Sequence, residues 1–208
     1  MKITTKISAM AMLIAPMALG VASCAEVEEE SEYVNWEKRN QAFIDSIAKV
    51  CSTNADGKWA KIVAYNINDS VESLKPNANH YIYIHKECEG NGTYKPLFKD
   101  SIRVHYLGRL LPSKSYKDGM VFDKSYSSYT LNEKTDVPTI MSPAGLTTGF
   151  ATAVMHMVEG DEWKMYIPSY LGYGETTDAT IPAHSTLIFD VKLARIYKFG
   201  IDTNTSWY

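Results

Sequence analysis

Two spacings of apolar residues alternate along this chain, one helical and one of period two. Trp36, Phe43, Ile47 and Val50 fall near helical spacing, with Lys38, Arg39, Asp45 and Lys49 elsewhere. That pattern predicts a helix capped by Asn35, beginning at Trp36 and ending near Ser52, ahead of Asn54-Ala55-Asp56-Gly57. Its apolar stripe needs a surface to cover, most simply the outside of the domain that follows. From Trp59 to Asn68 the apolar residues Trp59, Ile62, Val63, Tyr65 and Ile67 have no clean period, so periodicity selects neither helix nor strand there. Residues 69–79 are polar, contain Pro76 and Asn77, and read as a loop or linker.

Beyond residue 80 the spacing changes to that of strands. Tyr81-Ile82-Tyr83-Ile84-His85 is β-branched and aromatic, and Glu89-Gly90-Asn91-Gly92 closes it with turn residues. Ser101 to Leu111 alternates, with Ile102, Val104, Tyr106 and Leu110 on one face and Arg103, His105 and Arg109 on the other. Asp118-Gly119 marks a turn before the strand Met120–Asp123, and Thr139–Met141 reads as another short strand. Gly149 precedes a compact helical segment, Phe150–Met157, which Glu159-Gly160 stops. Two more strands follow, Trp163–Ile167 and Thr186–Leu193. The Pro- and Gly-punctuated loop between them, residues 168–185, carries Tyr170 and Tyr173. Long unstructured loops inside a domain are commonly binding loops, and this one is expected to close over an apolar pocket. Several antiparallel strands and one short helix make an α+β domain whose sheet curls around that helix.

The first residues change the picture of where this domain acts. Lys2 and Lys6 precede an apolar run, Ile7–Leu19, broken by Pro16 and too short to span a bilayer. The pattern predicts a cleaved export signal over residues 1–23. Val21-Ala22-Ser23-Cys24 resembles the lipobox of bacterial lipoproteins, which implies acylation at Cys24; the alternative is an ordinary secretory signal. Residues 24–34 are acidic, and read either as a solvated tether or, by resemblance, as the signal that sends some lipoproteins to the outer surface. The formal net charge of −3 becomes −5 once Lys2 and Lys6 are removed. No basic stripe for nucleic acid is present. Of the other cysteines, Cys51 and Cys88, the sequence allows either a disulfide or two separate thiols. His80, His85, His105, His156 and His184 show no ligand spacing, so no metal site is expected and the histidines are read as structural or solvent-facing.

The order of motifs is distinctive. Val104-His105-Tyr106-Leu107-Gly108, Gly119-Met120-Val121-Phe122-Asp123, Gly149-Phe150 with Met157 and Glu159-Gly160, Ile167-Pro168, Tyr173-Gly174, Ile181-Pro182, and Thr186 through Val191 together resemble the FKBP family of peptidyl-prolyl isomerases, over about residues 80–197. The resemblance implies an FKBP-like antiparallel sheet wrapped around the short helix over residues 80–198, preceded by an N-terminal helical extension and linker (35–79) and followed by a tail (199–208). It implies a pocket lined by Tyr106, Phe122, Asp123, Phe150, Tyr173 and Phe189 as catalytic residues, with Leu146, Thr147 and Ile181 contacting substrate. Three positions depart from the family's habit. Phe150 stands where the floor is commonly tryptophan, Thr147 where Val or Ile is usual, and the basic residue that often helps orient the aspartate is missing after Phe122-Asp123, where the stretch is Lys124-Ser125-Tyr126-Ser127-Ser128. Thr180 also replaces an apolar residue in the loop.

The implied activity is proline isomerisation in exported or surface proteins by a monomer held to the outer membrane by its N-terminal lipid. No cofactor is implied, and macrolides are implied as ligands of the same pocket. The alternative is a weakly catalytic or non-catalytic chaperone or assembly lipoprotein that uses that pocket to hold chains. Either suits a sequence without a Gly-x-Ser-x-Gly, zinc spacing or phosphate loop.

Overall fold

A computed structural model describes residues 32–67, 75–128, 130–177 and 180–201. Its elements are α1 (Trp36–Thr53), β1 (Trp59–Val63), β2 (Tyr81–Cys88), β3 (Ser101–Arg109), β4 (Val121–Lys124), β5 (Thr139–Met141), α2 (Thr148–Val154), β6 (Glu162–Ile167) and β7 (Leu187–Tyr197). The strands form one sheet in the order β1-β2-β6-β7-β3-β4, with β5 also paired to β3. Every pairing is antiparallel. The α+β fold with an N-terminal helix is therefore as the sequence indicates.

Alternation along the strands gives the sheet two apolar faces. Ile82 and Ile84 of β2 and Met165 and Ile167 of β6 are at most 1% exposed and join the main core. Residues Gly149 through Val154 of α2 are all buried, as expected of a helix enclosed on every side. Gly149 lets it come close: a Cβ there would lie 2.3 Å from Ile167 Cγ2. Tyr83, between the two isoleucines, points to the other face and packs with Ile44, Ile47 and Cys51 of α1. Thus α2 fills the inside of the curl and α1 covers part of the outside.

The boundaries differ from the expected ones for identifiable reasons. Asn35 occupies the N-cap of α1 in the left-handed conformation (φ 52°) and makes no side-chain cap. The buried stripe is Trp36, Asn40, Ile44, Ile47 and Cys51; Val50 is 45% exposed and Phe43 only half-buried. The segment of unresolved periodicity is the edge strand β1. Its five residues are all partly exposed or exposed, so no burial alternation marks it, and Trp59 is held by stacking on Tyr166 at 5.6 Å. Ala64 and Ile67 beyond it pack on the main core. The central helix begins two residues before Phe150 and ends at Val154, three before Met157. Strand β7 runs four residues past Leu193, because pairing with β3 resumes beyond a bulge that skips Ala194. His105 lies on the face expected to hold charged residues, yet it is only 6% exposed, in a small cleft with Tyr126, Leu131 and Trp163.

Candidate active site

Strands β3, β4 and β7 bring three aromatics to one end of α2. Gly108 pairs with Asp123 on one side and with Phe189 on the other. A Cβ at Gly108 would lie 2.6 Å from Phe189 and 2.7 Å from Phe122, so the missing side chain is what lets these rings meet above the strand. The rings of Phe122 and Phe189 then pack edge to face at 5.4 Å, and Phe150 meets Phe189 at 4.8 Å in the same manner. Tyr106 stands 6.3 Å from Phe150 and 6.4 Å from Phe189. These separations suit the ring quadrupoles, and each pair adds about 0.5–1.5 kcal/mol beyond area burial.

The rings enclose a cavity of about 240 Å³. Its floor is Phe150 and Phe189, each less than a tenth exposed, with Leu187 beside them. Tyr106 and Phe122 form walls, Met141 of β5 closes one side, and Gly145, Leu146 and Thr147 supply the rim at the start of α2. Tyr173 stands at the mouth, 40% exposed. The loop around it is tied back on itself, since Gly174 N–H donates to Ser169 O and His184 N–H to Gly174 O, each at 2.8 Å. Larger grooves of about 390 Å³ lie elsewhere on the described surface, but one is lined by Arg109, Lys117 and Asp118 and another by Asn91, Thr93, Glu159 and Lys198. The first also has Leu107, Tyr116 and Val121 in its wall, without the ring cluster that floors the aromatic cavity.

Asp123 is exposed at the cavity's rim. The Tyr106 hydroxyl donates to its Oδ2 at 2.8 Å, and the Lys124 backbone N–H donates to its Oδ1 at 2.8 Å. Tyr106 and the backbone that follows Asp123 thus hold its two carboxylate oxygens. Burial, and then the bond to Asp123, pushes the Tyr106 phenol well above its ordinary value, so it stays a protonated donor.

Eight of the nine residues expected in the pocket thus line one cavity: Tyr106, Phe122, Asp123, Leu146, Thr147, Phe150, Tyr173 and Phe189. Ile181 does not join them. It is 3% exposed and belongs to the main core, so it supports the loop from beneath. Met141, Gly145 and Leu187 line the cavity without having been singled out. Leu187 was recoverable, because it sits two residues before Phe189 and a strand's period places both on one face. Nothing in the sequence marked Gly145. Tyr170 is 61% exposed and packs against His80 at 5.2 Å, outside the cavity. Thr180 is exposed, and Cys24 lies outside the described residues.

Residues 92–194 match the family described as FKBP-type peptidyl-prolyl cis-trans isomerase. The chain carries an FKBP-type domain. It is 38% identical over 114 residues to the macrophage infectivity potentiator of Trypanosoma cruzi, covering 54% of this chain and 52% of that protein. It is also 38% identical over 109 residues to the FKBP-type 22 kDa peptidyl-prolyl cis-trans isomerase of Escherichia coli (strain K12), covering 52% and 46%. The chain therefore spans about half the length of these relatives. Among solved structures, a peptidyl-prolyl cis-trans isomerase from Pseudomonas syringae pv. tomato superposes with a TM-score of 0.55 at 19% identity, over 81% of this chain and 98% of that one. That likeness speaks for the fold.

The FKBP-type domain holds the whole cavity, whereas α1, β1 and β2 precede the matched residues. Among the described residues no group of three or more His, Cys, Asp or Glu converges as a metal site. Cys51, buried on α1, and Cys88, exposed at the end of β2, are separate thiols. No helix among the described residues is long and apolar enough to cross a membrane.

Proposed function

We propose that the chain is a peptidyl-prolyl cis-trans isomerase acting on proline-containing polypeptides. The observation that carries this reading is the apolar floor of Phe150 and Phe189 with the Tyr106–Asp123 pair at its rim. Amide resonance opposes rotation by about 18–20 kcal/mol, and an X-Pro bond turns over unaided in tens to hundreds of seconds. A thousandfold acceleration needs only about 4 kcal/mol of transition-state stabilisation, without nucleophile or metal. The planar amide is strongly dipolar and the twisted one is less so. A dry aromatic cavity disfavours the planar form relative to the twisted form, and the difference lowers the barrier. The proline ring rests on Phe150. Tyr173 donates to a substrate carbonyl at the mouth, Thr147 and Leu146 border the entering chain, and Asp123 organises the surroundings of the rotating carbonyl.

The test is isomerisation of a proline peptide by the purified chain. A rate no faster than the spontaneous one sinks the reading. Peptide binding without acceleration would leave the pocket as that of a chaperone that holds chains.

We also propose that the protein works as a monomer in the cell envelope, exported by residues 1–23 and anchored by a lipid on Cys24. The support is the order of Lys2, Lys6, the apolar run and Val-Ala-Ser-Cys. Incorporation of labelled fatty acid that is abolished by Cys24→Ser checks it. The cavity is also the place a macrolide would occupy, competing with the peptide.

A further inference from the structure

Two buried hydrogen bonds join α1 to the loop that closes the cavity. Trp36 Nε1 donates to Ser185 Oγ at 2.8 Å, and the Thr186 backbone N–H donates to Asn40 Oδ1 at 2.7 Å. All four residues are buried, Asn40 and Ser185 to 3% and Thr186 to 0% exposure. An amide inside a helix stripe is costly unless its bonds are made, and Asn40 makes them on both sides: its Nδ2 also donates to Trp36 O at 2.7 Å. A helix that only covered the sheet would carry an apolar residue there.

From this junction two short links reach the cavity. Leu187, directly after Thr186, lines it. His184, directly before Ser185, donates to Gly174 O, next to Tyr173. The same N-terminal segment grips the loop on the other flank. Arg39 donates to Pro112 O at 2.6 Å, Ser115 N–H donates to Glu32 at 2.8 Å, and the Ser113 hydroxyl donates to the same carboxylate. That loop leads through Met120 into Phe122 and Asp123.

We propose that the segment from Glu32 through α1, which precedes the family-matched residues, is the positioning element of the cavity, with Trp36 and Asn40 as positioning residues for Leu187 and Tyr173. Its consequence for turnover rests on the isomerase reading; its consequence for loop order does not. With the bonds gone the loop is competent for only a fraction of the time, and apparent affinity falls by that fraction. The bound complex has the loop in place, so KM rises and kcat does not fall.

The experiment compares the full chain with Asn40→Ala, Trp36→Phe and Ile47→Ala, each well below its unfolding transition. Two measurements are made: amide hydrogen exchange, and the kinetics of proline-peptide isomerisation. Ile47 is a buried residue of α1 that packs on the sheet, so its truncation weakens the helix without touching the loop. Asn40→Ala and Trp36→Phe are expected to raise KM about fivefold with kcat within about twofold, and to speed exchange over residues 180–187. Ile47→Ala should lower Tm and do neither. Unchanged exchange over 180–187 in both loop-facing variants overturns the proposal, and so does faster exchange with an unmoved KM. If the unsubstituted chain gives no acceleration, the isomerase reading fails and the exchange result alone decides the positioning role.

Discussion

The Tyr106 hydroxyl donates to Asp123 Oδ2 at 2.8 Å, so the carboxylate at the cavity's rim is fixed by one of the cavity's own walls. Asp123 is exposed, which keeps the bond's contribution to stability below about 1 kcal/mol. Its use is therefore expected in turnover. Tyr106→Phe should leave Tm almost unmoved and lower kcat/KM about fivefold. Asp123→Asn keeps an acceptor for Tyr106 and should cost less. Full activity in Tyr106→Phe would remove the orienting role.

Phe189 is the hub of the aromatic cluster, touching Phe122, Phe150 and Tyr106 at once. Phe189→Leu keeps an apolar side chain on β7 but loses the edge contacts. The expected loss is about 1–2 kcal/mol of stability, against about 3–5 for Phe189→Ala. Denaturant titration measures it. The same Leu variant should lower kcat/KM by more than Tyr106→Phe does, because the floor and not the rim is damaged.

Gly108→Ala tests the close approach from the strand side. The added methyl would meet Phe189 at 2.6 Å and Phe122 at 2.7 Å, so one or both rings must shift, and both belong to the cavity wall. Overpacking of this kind costs about 1–3 kcal/mol. We expect a lower denaturation midpoint together with weaker peptide binding by titration. Unchanged binding would show that the rings move aside freely.

What could be read from the sequence follows from which signals are local. Alternation along β2, β3 and β6 and the ring-bearing motifs around Tyr106, Phe122, Phe150 and Phe189 are local, and they gave the sheet and most of the cavity. Three features are not local. β1 takes its identity from pairing with β2, so its own residues carry no period. Asn40 belongs to the buried stripe of α1 because it bonds Thr186, 146 positions away, and a stripe of Trp36, Asn40, Ile44, Ile47 and Cys51 leaves Val50 in solvent. Ile181 sits in an inward-facing loop, but inward here means the core beneath the loop and not the cavity, a distinction only the folded loop makes.

His105 separates the same two kinds of information. The alternation of β3 puts it among charged residues, and the fold buries it, leaving its Nδ1 without a hydrogen-bond partner among the described residues. Burial lowers its pKa; Glu133 and Asp136 pull the other way, and Lys192 reinforces burial. A histidine with a depressed folded pKa takes up its proton more readily in the unfolded chain. Its neutral form therefore contributes in full above about pH 6.5, the unfolded value, and that contribution is lost as pH falls through the folded value. His85 acts in the opposite sense. Its hydrogen bond to Asp56 raises its pKa, so its contribution is present below about pH 6.5 and fades as pH rises through the folded value. The two are separated by substitution. Denaturation midpoints of the chain and of His105→Gln, measured from pH 7.5 to pH 5, should diverge: the unsubstituted chain loses stability on acidification more steeply than the variant. Parallel curves would mean that His105 is not buried in its neutral form.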